Sequence, residues 1–222
     1  MKKLFQILVI AHAVLLFVAI LLLPREIVPV HWGISGEVDR YGSKWTLMFL
    51  AVVPLLVQWT RRAYYASALA TENMKKNRQI EEGTITAVTL LLIVVSWGVY
   101  AITAMDMQNI GMVAPGVLVM LIGALLVFVS NKMSTVKQNY FYGVKVPWTL
   151  KDETVWKRTH RLAAYTGVIG GLLTMLGGGL GLIFNQPILA LGSILVGIVG
   201  VGVIPTIYSW RLYRKLHPKE AE

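Results

Sequence analysis

The chain has no cysteine, which excludes a disulfide framework and thiol chemistry. Acidic residues are few, 11 Asp and Glu against 21 Lys and Arg, for a net charge of +10. None of those acids falls inside a long apolar run. That argues against a proton-coupled transporter, which uses carboxylates near the midplane, and against an intramembrane aspartyl dyad. No nucleophile–base pair or phosphate loop is recognisable, so the expectation is a non-enzyme with no cofactor and no metal. Long polar stretches are also scarce. No loop exceeds about 30 residues, too short for a separate soluble domain.

Apolar sequence is abundant: 56% of residues are hydrophobic, and the mean hydropathy is +0.64. Apolar runs cover 4–23, 45–65, 84–105, 112–130, 163–184 and 188–209. Each approaches the roughly 20 residues needed to cross a ~30 Å hydrocarbon core. The predicted fold is all-α, a polytopic membrane protein with six transmembrane helices in a single membrane domain over 1–222. Helices 1 and 2 lie within 1–65 around an outer loop at 24–44, and helices 3 and 4 within 84–130. A cytoplasmic segment at 131–162 precedes helices 5 and 6 in 163–209. Ala11-His12-Ala13 has the form of a signal cleavage site, but apolar residues continue to Leu23. An uncleaved first helix is therefore expected.

All but three of the 21 basic residues fall on one side of this arrangement; Arg25, Arg40 and Lys44 are the exceptions. The positive-inside rule then places both termini in the cytoplasm. The basic face suits anionic lipid or an acidic protein patch. Nucleic acid is not expected, because the charges are divided among separate segments without a recognisable binding module.

Particular residues set further expectations. The apolar part of helix 2 is short, so Arg61 and Arg62 must snorkel. Pro54 and Pro205 are expected to kink helices 2 and 6. A polar helix is expected over 66–82, broken at Gly83. Gly167/Gly171 and Gly177/Gly181 on helix 5, with Ser193 and Gly197 on helix 6, offer small faces for close approach. Packing within one chain is preferred over a homodimer seam. His12 lies deep in helix 1 and is either functional or a neutral hydrogen-bonding histidine, the second reading being preferred.

Two polar segments carry most of the information. In 24–44, Pro29 favours an extended approach to His31 and Trp32, and Gly33, Gly36 and Gly42 permit tight turns. His31, Glu37 and Asp39 could gather around a cation, but their spacing matches no established motif, and turn hydrogen bonding is preferred. In 139–161, Thr149 can cap a helix, with Asp152 three residues on as in a capping box. Trp156 and His160 share a helix face. A short interfacial helix leading into helix 5 is expected. Both Trp148 and Trp156 have interfacial anchoring as the plainer reading, with partner docking as the other.

At these residues the chain resembles the SdpI family of bacterial membrane proteins. The outer segment is similar in Pro24, Pro29, His31, Trp32, Gly36, Asp39, Tyr41, Gly42, Ser43 and Lys44. The cytoplasmic segment is similar in Asn139, Gly143, Pro147, Trp148, Thr149, Trp156 and His160. Lys145 departs from the arginine expected there, keeping charge but not the bidentate fork. The resemblance implies immunity to a secreted toxin and, in one known case, signalling by holding a transcriptional repressor at the membrane. Toxin contact would fall on Pro29, His31, Trp32, Gly36, Glu37, Asp39, Tyr41 and Lys44. Docking of a cytoplasmic repressor would fall on Asn139, Gly143, Lys145, Pro147, Trp148, Thr149, Trp156 and His160. The alternatives are a small transporter or efflux protein and a lipid-interacting envelope-stress protein.

Overall fold

The computed structural model describes residues 2–66 and 72–218. Apolar runs become helices because a backbone removed from water must satisfy its polar groups internally. The helices are α1 (Lys2–Leu22), α2 (Met48–Ala66), α3 (Glu72–Ala104), α4 (Val113–Asn131), α5 (Pro147–Lys151), α6 (Glu153–Ile183), α7 (Pro187–Ile198) and α8 (Ile204–Leu216). A π-helical turn, Val199–Val203, joins α7 to α8. Among the described residues, five stretches are long and apolar enough to cross a membrane: Lys3–Leu22, Glu72–Ala104, Val113–Thr135, Glu153–Phe184 and Pro187–Leu216. Helix α2 is not among them, because Gln58, Thr60, Arg61 and Arg62 interrupt its apolar character. Large apolar side chains lie exposed along the helices, among them Leu4, Phe49, Leu172 and Leu195, as suits a hydrocarbon surround.

Two departures from the sequence reading stand out. The all-α expectation omits a β-hairpin, β1 (Ile27–Trp32) and β2 (Val38–Ser43). Val28, Val30, Trp32, Val38 and Tyr41 supply strand-favouring side chains. Pro29 is tolerated because a two-stranded ribbon has only edge strands. The second departure is at Gly83, where α3 continues unbroken. One interior glycine costs only about 1 kcal/mol, which the flanking helix absorbs. Residues 67–71 of the predicted 66–82 helix, and Lys219, counted among the basic residues, lie outside the described residues.

The chain divides into two compact units. The first takes in the chain to the end of α2 together with Ile85–Ala114. Its core joins Leu16 and Ile20 of α1, and Leu23 just beyond it, to Val28 of the hairpin and to Leu47 and Ala51, with Trp97 and Tyr100 packed against them. Pro54 has no N–H, so the carbonyl of Leu50, four residues earlier, loses its helical partner. The Ser96 hydroxyl donates to that oxygen at 3.1 Å, and His12 Nε2 lies 3.3 Å from it. His12 is 3% exposed and meets Trp97 edge to face. It thus serves as an interhelical hydrogen-bonding histidine that answers the proline's defect.

The second unit comprises the start of α3 to Thr84 and the chain from Pro115 onward. Here the glycines of α6 are taken up within the chain. A Cβ on Gly171 would stand 2.8 Å from the Gly123 carbonyl oxygen of α4, and one on Gly181 3.0 Å from Ala190 of α7. Thr174 donates to the Ser193 carbonyl at 2.9 Å across the α6–α7 contact. The predicted kink at Pro205 takes the form of the π turn. The Ile204 N–H bonds Val199 and Pro205 has no N–H to give, so the Gly200 carbonyl is served by Thr166 Oγ1 at 2.6 Å.

Candidate functional site

The first loop is a hairpin held against the connection between α3 and α4. At its tip the Gly33 N–H donates to Glu37 and the Gly36 N–H to Gly33. Gly36 has φ +82°, and a Cβ there would lie 2.7 Å from the backbone N and O of Gly111. That contact lets Ile110 N–H donate to the Gly36 carbonyl at 2.9 Å and Val38 N–H to the Gln108 carbonyl at 3.0 Å. Trp32 Nε1 donates to the Met107 carbonyl at 3.0 Å, and the Tyr41 hydroxyl bonds the Gln108 side chain. Arg25 pairs with Asp106. None of the individual site residues expected from the sequence lies in the connection 105–112, yet Met107 and Gln108 supply three of the hairpin's anchoring contacts. Pairing between segments some 70 residues apart leaves no local signal in the sequence.

Within the hairpin, His31 and Asp39 face each other as a hydrogen-bonded pair. Glu37 instead lies opposite Asn109 in an isolated bridge. Among the described residues, no three His, Asp or Glu side chains gather as a metal site. His31, Glu37, Asp39 and Tyr41 are exposed, Trp32 is half-buried, and Pro29 and Gly36 are buried. Gly42 corrects the turn expectation: it sits in β2 opposite Val28. Lys44, one of the residues expected to meet toxin, is buried. It is 5% exposed, donating to the Leu23 carbonyl at 3.0 Å and pairing with Glu26 at 2.9 Å. This ammonium ties the end of α1 to the end of the hairpin.

The segment 133–160 builds a fixed shape from its own polar side chains. Asn139 Oδ1 accepts from the N–H groups of Phe141 and Tyr142, an Asx arrangement that turns the chain. Gly143, at φ +113°, then brings Val144 N–H to His160 Nε2 at 3.0 Å. Because Nε2 accepts, the proton sits on Nδ1, which donates to the Trp156 carbonyl at 2.8 Å. The Trp156 ring stacks on His160 at 3.9 Å between centroids and its Nε1 donates to Val136 at 2.8 Å. Both rings are 0% exposed.

The helix start also differs from expectation. Pro147 presets the first helical φ, so α5 begins there and Thr149 falls inside it. Thr149 Oγ1 accepts from Val146 N–H at 3.1 Å and lies 2.8 Å from the Val144 carbonyl, to which it donates. Asp152 caps α6 instead, accepting from Val155 N–H at 2.9 Å. Trp156 and His160 consequently belong to the long α6 rather than to a separate short helix. Trp148 fastens α5 to α8 through a 2.6 Å bond to Ser209.

Burial sorts the residues expected to dock a partner. Asn139, Thr149, Trp156 and His160 are buried and hold the segment together, while Gly143 and Trp148 are half-buried. Lys145 and Pro147 are exposed, as is neighbouring Tyr140. Other supports were not singled out from the sequence. Asn77 makes paired bonds to the Lys137 backbone. Gln138 donates to the carbonyls of Thr149 and Leu150. His217 lies 2.8 Å from Asp152. Each is a polar side chain whose partner is distant in sequence, so spacing alone gives no sign of it.

The His217 hydrogen bond, then the Val155 N–H, hold the Asp152 carboxyl below its ordinary value of 3.8. A depressed carboxylate contributes stability that is present above its unfolded pKa and lost as pH falls through the folded one. The start of α6 should therefore loosen only below about pH 4. Asp152→Ala should cost about 1 kcal/mol at neutral pH through loss of the cap. Amide exchange at Val155 and Trp156, followed across pH, would show it. Equal exchange in the variant and the parent at pH 7 would refute the capping role.

Comparison with known proteins bears on both segments. Residues 135–209 match the SdpI/YfhL protein family, and residues 7–55 match a domain of unknown function, DUF1648. The chain is 27% identical over 195 residues to the immunity protein SdpI of Bacillus subtilis (strain 168), covering 88% of this chain and 87% of that one. No solved structure matches. These matches span the segments that carry the motifs, and they bear out the resemblance to the SdpI family.

Proposed function

We propose that this SdpI-family chain is a multi-pass bacterial membrane protein that gives immunity to a secreted, membrane-active toxin. The likeness to an immunity protein over most of both chains is the observation that carries this reading. The role is one of binding, without catalysis and without a cofactor. In this reading the chain lies in the cytoplasmic membrane and α2 completes a sixth crossing, with Arg61 and Arg62 reaching back to the headgroups. Both termini then face the cytoplasm, as the basic residues favour. The hairpin and the 105–112 connection, which bond each other, lie together on the outer side. Toxin meets the exposed face formed by His31, Glu37, Asp39 and Tyr41, with Trp32 at its edge. Any repressor docks on the exposed part of the signature segment around Tyr140, Lys145 and Pro147.

A toxin-sensitive bacterium expressing this chain should survive challenge and keep its membrane potential. An expression-matched His31→Ala/Asp39→Ala variant should lose most of that protection. Full protection by this variant would remove toxin contact from the hairpin. No protection by the parent chain would overturn the immunity reading against the toxin used.

A further inference from the structure

Two adjoining hollows in the second unit share Ser134 and Arg161. One, of about 430 Å³, is lined by Lys137, Lys157, Arg158 and Arg161, with Gln138 and Glu153 beside them. The other, of about 560 Å³, continues from Arg161 along Ala164, Tyr165, Val168 and Ile169. Of the residues lining them, the family resemblance assigns a role only to Trp156, which is buried against His160.

The arrangement is ordered along α6. Lys157, Arg161, Tyr165 and Ile169 follow one another at four-residue intervals and so share a helix face. Its first part is cationic and its later part apolar. From Arg161 to Ile169 the helix rises about 12 Å. The four cations are solvent-exposed, and Glu153 neutralises one of them, pairing with Lys157 at 2.9 Å. An excess of positive charge therefore remains beside an open channel that Ala164, Tyr165, Val168 and Ile169 line along α6, with Asn131 and Ser134 at its side. Tyr165 and Ile169 are exposed in that channel, at 66% and 57%. A soluble anion would use the charge and leave the apolar limb uncovered. A zwitterionic lipid would cover the limb and leave the charge unmatched.

We propose that this groove is a binding site for an anionic glycerophospholipid, with its phosphate among Lys137, Arg158 and Arg161 and an acyl chain along Ala164, Tyr165 and Ile169. The site is independent of the toxin and repressor assignments. Because it abuts Val136 and Trp156, which belong to the signature segment's core, occupancy would brace that segment against α6.

The test uses the full-length protein, purified and stripped of copurifying lipid. It is mixed in detergent with dioleoyl phosphatidylglycerol or dioleoyl phosphatidylcholine, and retained lipid is counted by native mass spectrometry. Phosphatidylglycerol should be held in clear preference. Lys137→Gln/Arg161→Gln should reduce its retention about tenfold to thirtyfold, given the attraction of two basic residues for an anionic headgroup. Arg211→Gln/Lys215→Gln, which removes the same charge elsewhere, should change it less than about twofold. Lys137→Gln alone, an exposed change, gives the same direction if the double variant is unstable. Three results would each overturn the proposal: equal loss in the control pair, which indicates diffuse attraction; displacement by millimolar glycerol 3-phosphate, which indicates a headgroup-only anion site; or equal retention of phosphatidylcholine.

Discussion

Gly143→Ala should destabilise the signature segment more than its single added methyl suggests. The residue holds φ +113°, a region that costs an L side chain roughly 1–2 kcal/mol. The new Cβ would also overlap His160 Nε2, and overpacking of that kind adds about 1–3 kcal/mol. His160 cannot retreat freely, since its other face stacks on Trp156 and its Nδ1 is committed to the Trp156 carbonyl. Moving it breaks the bond to Val144 and leaves a buried ring nitrogen unsatisfied. The expected result is a loss of about 3–5 kcal/mol, seen as a lower midpoint for thermal exposure of Trp156. An unchanged midpoint would mean that the Val144–His160 contact does not hold the segment.

Gly36→Ala should act on the other unit and be read out as function. Its φ of +82° strains any replacement, and the added Cβ meets the Gly111 backbone rather than a flexible side-chain end. The hairpin tip must then move away, losing the bonds from Ile110 to Gly36 and from Val38 to Gln108. The native absence of cysteine offers a clean assay. Glu37→Cys with Asn109→Cys replaces two residues paired across the bridge, within disulfide range for such neighbours. That pair should crosslink readily in the parent background and at least about tenfold more slowly with Gly36→Ala, a change of about 1.4 kcal/mol in alignment. In the cysteine-free chain, Gly36→Ala alone should lower survival under toxin challenge in parallel. Rapid crosslinking alongside lost protection would assign Gly36 to toxin contact instead of hairpin docking.

The sequence by itself determined the helical, membrane-facing character of the chain. Apolar runs of that length have few other solutions, since buried backbone groups must bond within their own segment. It also located the two informative segments, because glycine, proline, histidine and tryptophan clusters interrupt that apolar background. The oddity of helix 2 was legible as well, in the shortness of its apolar part before Arg61 and Arg62.

Tertiary structure decided what those residues do. Lys44 reads as a surface charge until Leu23 and Glu26 close around it. Trp156 and His160 read as a helix face until Val136 and Val144 arrive from distant turns to bond them. His12 and Ser96 acquire a purpose only when Pro54 leaves the Leu50 carbonyl open. The hairpin depended on pairing with residues near 108. Local spacing specifies which face of a helix or strand a side chain occupies, whereas burial and hydrogen-bond partners are set by segments that meet only when the chain has folded.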